Sequence, residues 1–588
     1  MYLPDKHLAP IKIAALMQKA AAKAFQKKNV EGKNVSAKIS DVRIQIPEEN
    51  FGDYSTNIAL ILGKEFGQNP REIASEIIKS IPENDIISKT EIAGPGFINI
   101  FVKPSWLISE LKRILNQGEN YGKSDFGKGK KVIVEYSQPN IAKPLGVHHL
   151  LSTIIGQSLY NCYKTLGYHV LSINYIGDWG TQFGKLIVAY KKWGDRSMVE
   201  KNPIDEFLKL YVRFHEEAEK DSALEDEARK TFLKLEQGDK EALQLWQWCV
   251  EESMKEVQKT YDFLSGIHFD LIQGESFFRD KMDDILDEGK KKKIFVRGEG
   301  GSLIVEFSEE KYPPFLVQKS DGATLYSTRD FAALKYRIQT YGPEKILYVV
   351  DSAQSLYFQQ LFEAARRFEW GGAQAVHVAF GRMRFKDMKM STRKGNIVRL
   401  DEVLMEGIER AYAIVNEKNA DLNEDEKKAI AQKVGIGAVK YSILSQNRMT
   451  DIVFDWDKML ALEGNSAPYL QYTYARYRSI LRKGKEAGII IDHDFLFNEQ
   501  WKYELLLLRK MVIFLETINQ AAAMYKPNLL ATYLYELTQV CNSFYTNCPV
   551  LQAENESLRN FRLALIEATA TILKNGLTLL GIEAPEQM

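Results

Sequence analysis

The sequence predicts a multidomain protein, with a doubly wound α/β domain at its centre, an α+β unit before it and an all-α bundle after it. Three observations carry this prediction. From about residue 120 to 400, apolar β-type runs alternate with helical runs, as a parallel Rossmann-like sheet requires. Between about residues 10 and 115 short strand-like and helical stretches mix. Past residue 400 the pattern is helical, and Leu563, Ile566, Ala570, Leu573, Leu577 and Leu580 recur at helical spacing, the stripe of a helix packed in a bundle. A chain of 588 residues has room for about four domains. We divide it at 1–118, 119–400, 401–454 (a helical connector) and 455–588, with a helical insertion at about 185–300.

In chain order, Ile11 to Lys28 reads as an amphipathic helix, and Lys38 to Ile46 alternates as a strand does. Asp53 to Leu60 opens a second helix, and Arg71 to Ser80 forms a third. Glu91 to Ile100 is a turn feeding a strand. Val132-Ile-Val-Glu-Tyr136 begins the central sheet, and Val170 to Tyr175 continues it. Between them Leu151, Ile154, Ile155, Leu159, Cys162 and Tyr163 mark one helix face. The charged, helical stretch from about 185 interrupts the alternation, and Ile346 to Val350 and Val376 to Phe380 restore it.

Composition excludes several classes. Lys plus Arg and Asp plus Glu both number 78, so net charge offers no sign of nucleic acid, although a neutral total can hide a basic face. No apolar span suits a membrane, and residues 1–7 lack a signal core, so a cytosolic location is expected. Cys162, Cys249, Cys541 and Cys548 form no metal-type pairs and read as reduced, mostly buried thiols. No protein-bound metal is expected.

The stretch Glu135 to His149 concentrates the chemistry. A strand, a loop punctuated by Pro139 and Pro144, and a helix starting near His148 make a ready anion site, because the helix's free N–H groups point back at the loop. Asn140, Lys143, His148 and His149 gathered there suggest nucleotide phosphates. A second basic, glycine-containing loop is Lys389-Met-Ser-Thr-Arg-Lys-Gly-Asn396.

Pro139-Asn-Ile-Ala-Lys-Pro144, His149-Leu-Leu-Ser-Thr-Ile-Ile-Gly156 and Asn174-Tyr-Ile-Gly-Asp-Trp-Gly-Thr-Gln-Phe-Gly184 resemble the signature of the arginyl-tRNA synthetases, which are class I aminoacyl-tRNA synthetases. Lys389 to Asn396 resembles the Lys-Met-Ser-Lys-Ser loop of that class, with Thr392 in place of the second lysine. The resemblance implies an arginine–tRNA ligase that uses ATP as substrate, with Mg2+ accompanying it, and has tRNA(Arg) and L-arginine as partners. It also implies a monomer. For ATP it points to Lys143, His148, His149, His377, Lys389, Met390 and Ser391, with Lys394 among the catalytic cations. For arginine it points to Glu135, Asn140, Tyr326, Asp330 and Gln354, two carboxylates being suited to one guanidinium. Phe97 and Asn99 fall where the family's D-loop-binding domain meets an RNA base. Tyr469, Tyr472 and Arg476 fall in the part that resembles its all-α anticodon-binding domain.

One departure stands out. Where the family reads His-Val-Gly-His, this chain has Gly146-Val147-His148-His149, so only the last histidine keeps its place. Two other readings therefore stay open: a catalytically impaired relative that binds tRNA or arginine, and a nucleotidyltransferase of the wider His-x-Gly-His group.

Overall fold

The computed structural model describes residues 8–25, 42, 44–47, 51–308, 311–385, 399–418, 421–489 and 501–588. By contact the chain forms two units, Met1–Lys123 with Tyr469–Leu577 and Ala584–Met588, and Ser124–Pro468 with Thr578–Glu583. The N-terminal residues and the C-terminal helices, expected as separate domains, therefore share one unit. The connector helices Leu400–Lys418 and Glu424–Leu444 belong with the central sheet.

In the first unit β1 (Ile44–Gln45), β2 (Tyr54–Thr56), β3 (Ile87–Ala93) and β4 (Phe97–Val102) form an antiparallel sheet in the order β1-β2-β4-β3. The helix expected from Asp53 begins only at Ile58. Tyr54-Ser-Thr56 is a strand instead, because its backbone ladders with Ile98–Ile100 and its residue types favour a pleated surface. Of the strand expected over 38–46, only Ile44–Gln45 lies among the described residues as a strand. The C-terminal stripe is core as predicted, with Leu563, Ile566, Leu573 and Leu577 almost wholly buried. Tyr54 Oη donates to Glu516, Arg509 pairs with Asp53 at 2.9 Å, and the Tyr121 and Phe514 rings stack. These contacts tie the small sheet to the bundle.

The second unit is built on a wholly parallel sheet: β5 (Lys131–Glu135), β6 (His169–Asn174), β7 (Leu271–Ile272), β11 (Lys345–Tyr348) and β12 (Gln374–His377), in the order β12-β11-β5-β6-β7. A small antiparallel sheet of β8 (Val296–Arg297), β9 (Leu303–Val305) and β10 (Phe315–Gln318) stands beside it in sequence. Val132, Ile133 and Val134 are fully buried, as strands covered on both faces must be. The helix Val147–Thr165 packs so closely on β5 that a Cβ at Gly156 would lie 2.3 Å from Tyr136. The helical insertion also differs from expectation. Its helices, Thr181–Trp193 to Lys240–Leu264, separate β6 from β7 rather than the two halves of the sheet, and residues 271–318 mix strands with helix. The charge of that stretch hid two short strands, Leu271–Ile272, whose partner β6 is remote in sequence, and Val296–Arg297, which pairs locally with β9.

Candidate active site

In the sheet order the chain winds one way from β5 to β7 and the other way from β11 to β12, so the switch point lies between β5 and β11. Ligands of doubly wound sheets bind beyond the carboxyl ends of the strands at such a point. Glu135 ends β5 there, level with Tyr348 of β11 and Ile173 of β6. Gln354 follows β11 in a short turn, exposed, and His377 ends β12. The residues predicted from separate motifs thus come to one edge.

The loop after β5 is held in a demanding conformation. Ser137, Gln138 and Ala142 all have positive φ, at 75°, 54° and 64°. Such backbone typically costs of order 1–3 kcal/mol per residue and persists only where its surroundings over-determine it. Here they do. Ser152 Oγ accepts from the Ser137 amide at 3.0 Å and donates to the Val349 carbonyl at 2.7 Å. Ser137 Oγ lies 2.7 Å from Tyr261 Oη, and the Gln138 amide donates to Asn174. Further on, the amides of Ile141 and Gly177 donate to the carbonyls of Gly177 and Pro139 respectively. Asn140 is exposed, and its amide oxygen lies so near Gly177 that a Cβ there would come within 2.6 Å.

At the helix start, the Gly146 amide donates to His149 Nδ1 at 3.1 Å. That bond fixes the tautomer, leaving the proton on Nε2. Burial, and then the neighbouring His148, drive the His149 pKa down to about 3, so it is a neutral hydrogen-bond donor. His148 stays in contact with solvent, its ring 3.9 Å from that of His149. Its pKa is lowered by partial loss of hydration, while Asp351 acts the other way. His377 is held by the Val350 carbonyl at 3.0 Å and stacks on Phe358. Lys143 reaches over the Tyr211 ring and, with Asp205 and Arg399, lines a cleft. Where the described chain resumes, the Leu400 amide donates to the Leu145 carbonyl, and Arg399 binds Asp205 and both oxygens of Asp401. Lys389, Met390, Ser391 and Lys394 lie outside the described residues.

Beside the loop sits a cluster of buried charges. Glu135, only 3% exposed, ion-pairs with the fully buried Arg337 and accepts from Gln138 Nε2 at 2.6 Å. Glu275 pairs with Arg329 at 2.8 Å. Asp330 accepts from Tyr175 Oη at 3.2 Å and from Tyr357 Oη, and among the described residues it has no ion-pair partner. Burial pushes its carboxyl up, and the Tyr357 bond, Arg337, Tyr175 and Arg329 hold it down. Glu135 is likewise raised by burial, with Arg337 opposing. An unpaired, half-buried carboxylate between two tyrosines is a seat for a cation. Tyr326, expected to share this task, is 64% exposed at the first turn of the helix Tyr326–Tyr341, while Asp330 one turn on faces inward. Glu135 also departs from the expectation of a carboxylate free for substrate, since Arg337 already engages it. Tyr175 and Gln138 lie within stretches that the sequence singles out, and Gln138 reaches Glu135 locally. Nothing in the sequence marks Tyr357 or Arg337, whose roles arise from chain crossings.

In the other unit Phe97 is half-buried and Asn99 only 4% exposed. Asn99 stands mid-sheet between Ser55 and Glu91, so its amide is not offered outward, contrary to expectation. Tyr472, Arg476 and Tyr545 form an open stack, with the Arg476 guanidinium 4.6 Å and 4.8 Å from the two rings. Tyr469 is half-buried, its hydroxyl accepting from Asn542 at 2.6 Å.

Comparison with known proteins finds matches along nearly the whole chain. Residues 110–456 match the catalytic domain of class I tRNA synthetases (R), 470–588 the DALR anticodon-binding domain, and 12–102 the arginyl-tRNA synthetase N-terminal domain. Arginine–tRNA ligase of Fusobacterium nucleatum is 45% identical over 565 residues, covering 96% of this chain and 98% of its own. That of Clostridioides difficile is 44% identical over 546 residues, covering 92% and 94%. The crystal structure of arginyl-tRNA synthetase from Plasmodium falciparum superposes with a TM-score of 0.82 at 28% identity, covering 98% of both chains. The Thermus thermophilus arginyl-tRNA synthetase gives 0.80 at 26%, covering 98% and 100%. With its three parts matched in order and its relatives matched along nearly their full length, the chain belongs to the arginyl-tRNA synthetase family.

Proposed function

We propose that this protein activates L-arginine with ATP and transfers the arginyl group to the 3′ end of tRNA(Arg). The observation that carries the reading is Asp330, a carboxylate with no ion-pair partner among the described residues, close to Glu135 at the switch point of a doubly wound sheet, where the loop after Glu135 leads into a helix start bearing two histidines. The arginine carboxylate attacks the α-phosphate of ATP in line and pyrophosphate leaves. No protein nucleophile is needed, so positioning and charge stabilisation supply the catalysis. Asp330 takes the guanidinium, with Glu135, Asn140, Tyr326 and Gln354 around the substrate. His149 donates from Nε2 to phosphate, His148 takes the place left by Gly146, and Lys143 and His377 complete the nucleotide site. Lys389, Met390, Ser391 and Lys394 add charge and contacts to ATP. Mg2+ arrives with the nucleotide, bound by phosphate oxygens and water.

In the same reading, Tyr469, Tyr472 and Arg476 meet anticodon-loop bases, and Phe97 meets the D-loop. The enzyme acts as a cytosolic monomer. No helix among the described residues is long and apolar enough to cross a membrane. ATP–pyrophosphate exchange dependent on arginine, measured with and without tRNA(Arg), tests the reading. Exchange that requires arginine, and that tRNA(Arg) promotes, supports it. No exchange with tRNA present, alongside retained tRNA binding, would favour a catalytically impaired relative.

A further inference from the structure

We propose that Arg337 is a positioning residue for arginine recognition, its guanidinium fixing the Glu135 carboxylate and bracing the Tyr175 ring whose hydroxyl binds Asp330. The inference rests on the reading of this cluster as the arginine pocket. Arg337 lies on the helix Tyr326–Tyr341, two turns beyond Asp330, and is 1% exposed. Its Nη1 pairs with Glu135 and lies 3.3 Å from Tyr348 Oη. Its guanidinium carbon stands 5.3 Å from the centre of the Tyr175 ring, 5.6 Å from Tyr348 and 6.0 Å from Phe278, a cation enclosed by three aromatic faces.

Stability does not explain the pair. Replacing a buried ion pair by apolar residues is often neutral or stabilising, because desolvation offsets the attraction. Here, moreover, Arg337 Nε and Nη2 have no hydrogen-bond partner among the described residues, a further cost of burial. Function does explain it. Asp330 is close enough to Glu135 to raise its proton affinity, and Arg337 lowers that of both. Taken together, these three groups leave one negative charge, which the guanidinium of the substrate completes. The same guanidinium holds the Tyr175 ring, so Asp330 is kept both ionised and aimed. The charged and titratable groups facing Asp330 are Glu135 on β5, Tyr175 after β6, Glu275, Arg329 and Arg337 on its own helix, and Tyr357 and Tyr348, with Asp178 next to Glu275.

The test uses the full chain with tRNA(Arg), measuring KM for arginine and for ATP from pH 6.5 to 8.5 in R337M, R337K and D330N. R337M is expected to raise arginine KM about tenfold or more, with ATP KM unchanged. The rise should steepen toward pH 6.5, since losing the cation lets protons compete for both carboxylates. R337K keeps the charge but not the fork, so its smaller rise, about threefold, should vary little with pH. If R337M does not fold, R337K alone decides by the same split of arginine KM against ATP KM. Parent-like arginine KM in the R337 variants, or equal rises in both KM values, would overturn the role of Arg337. D330N separates the two readings: unchanged arginine KM there removes the pocket itself, whereas a raised value beside inert R337 variants removes only this inference.

Discussion

Asp330→Ala is the most informative single substitution at this site. In the parent, both Asp330 oxygens accept tyrosine hydroxyls, and no cation among the described residues pairs with it. The substituted enzyme leaves Tyr175 and Tyr357 without that acceptor, but this loss falls on the free and the arginine-bound enzyme alike. What changes on binding is the substrate guanidinium, which loses a charge-assisted partner worth about 1.5–3 kcal/mol. At about 1.4 kcal/mol per tenfold, arginine KM should rise by roughly one to two orders of magnitude. ATP KM should stay within about threefold. The sign of the pH dependence follows from the raised proton affinity of Asp330. A carboxyl raised in the folded state takes up its proton sooner as pH falls, and the protonated form cannot hold a cation. Parent arginine KM should therefore climb toward acid pH, and that of the variant should not. Arginine-dependent pyrophosphate exchange at saturating ATP measures both. An arginine KM within about threefold of the parent, or an equal rise in ATP KM, would refute the assignment.

Three more predictions concern other parts of the chain. His148→Gly should slow adenylate formation, seen in single-turnover kinetics, because no side chain would then stand in for the imidazole that Gly146 lacks; a rate equal to or above the parent's would show His148 to be an obstacle instead. Arg399→Ala removes contacts to Asp205 and Asp401 that are only partly screened, and should raise ATP KM about two- to fivefold with arginine KM unchanged; steady-state kinetics with each substrate varied decides this. Glu516 is buried, and desolvation raises its pKa from 4.5 to about 8, so the folded chain holds a proton there that the unfolded chain has lost between those values. Its contribution to stability is thus present at acid pH and lost as pH rises through about 8. Glu516→Gln should gain Tm relative to the parent from pH 5 to pH 8, and a difference constant with pH would contradict this.

Much of this molecule is legible in the amino-acid order. Val132 to Tyr136 reads as a buried strand because an unbroken apolar run followed by a proline-punctuated loop has few other uses, and the strand is there. The stripe from Leu563 to Leu580 reads as a packed helix because period alone fixes which side is covered. What failed to read was set by partners distant in sequence. Tyr54 to Thr56 is a strand only because β4, more than forty residues on, supplies its ladder. Leu271–Ile272 joins the sheet after a helical excursion from Thr181 to Leu264. At the site, position along a motif located Glu135 and Asp330, but not the internal arginine that engages one of them, nor the tyrosine that holds the other. Arg337 and Tyr357 carry no local signal. Only the crossing of two helices over the sheet brings them to Glu135 and Asp330.

The exchanged signature separates what the backbone supplies from what the side chains add. The N-terminus of the helix Val147–Thr165 presents its N–H groups whatever residue stands at 146, so the anion site as such survives the exchange. Gly146 also keeps a task, since its amide fixes the tautomer of His149. What Gly146 has no means to supply is an imidazole, and His148, two residues on and in ring contact with His149, carries one that solvent still reaches. Its lowered proton affinity leaves it mainly neutral at physiological pH, able to donate to a phosphate oxygen or to lie against an adenine face. The pair of histidines is thus retained while its spacing shortens from three residues to one. The loop that must accommodate that change is the one with Ser137, Gln138 and Ala142 in left-handed backbone, pinned by Ser152, Asn174 and Tyr261. A frame held so firmly from outside the motif can tolerate permutation within it.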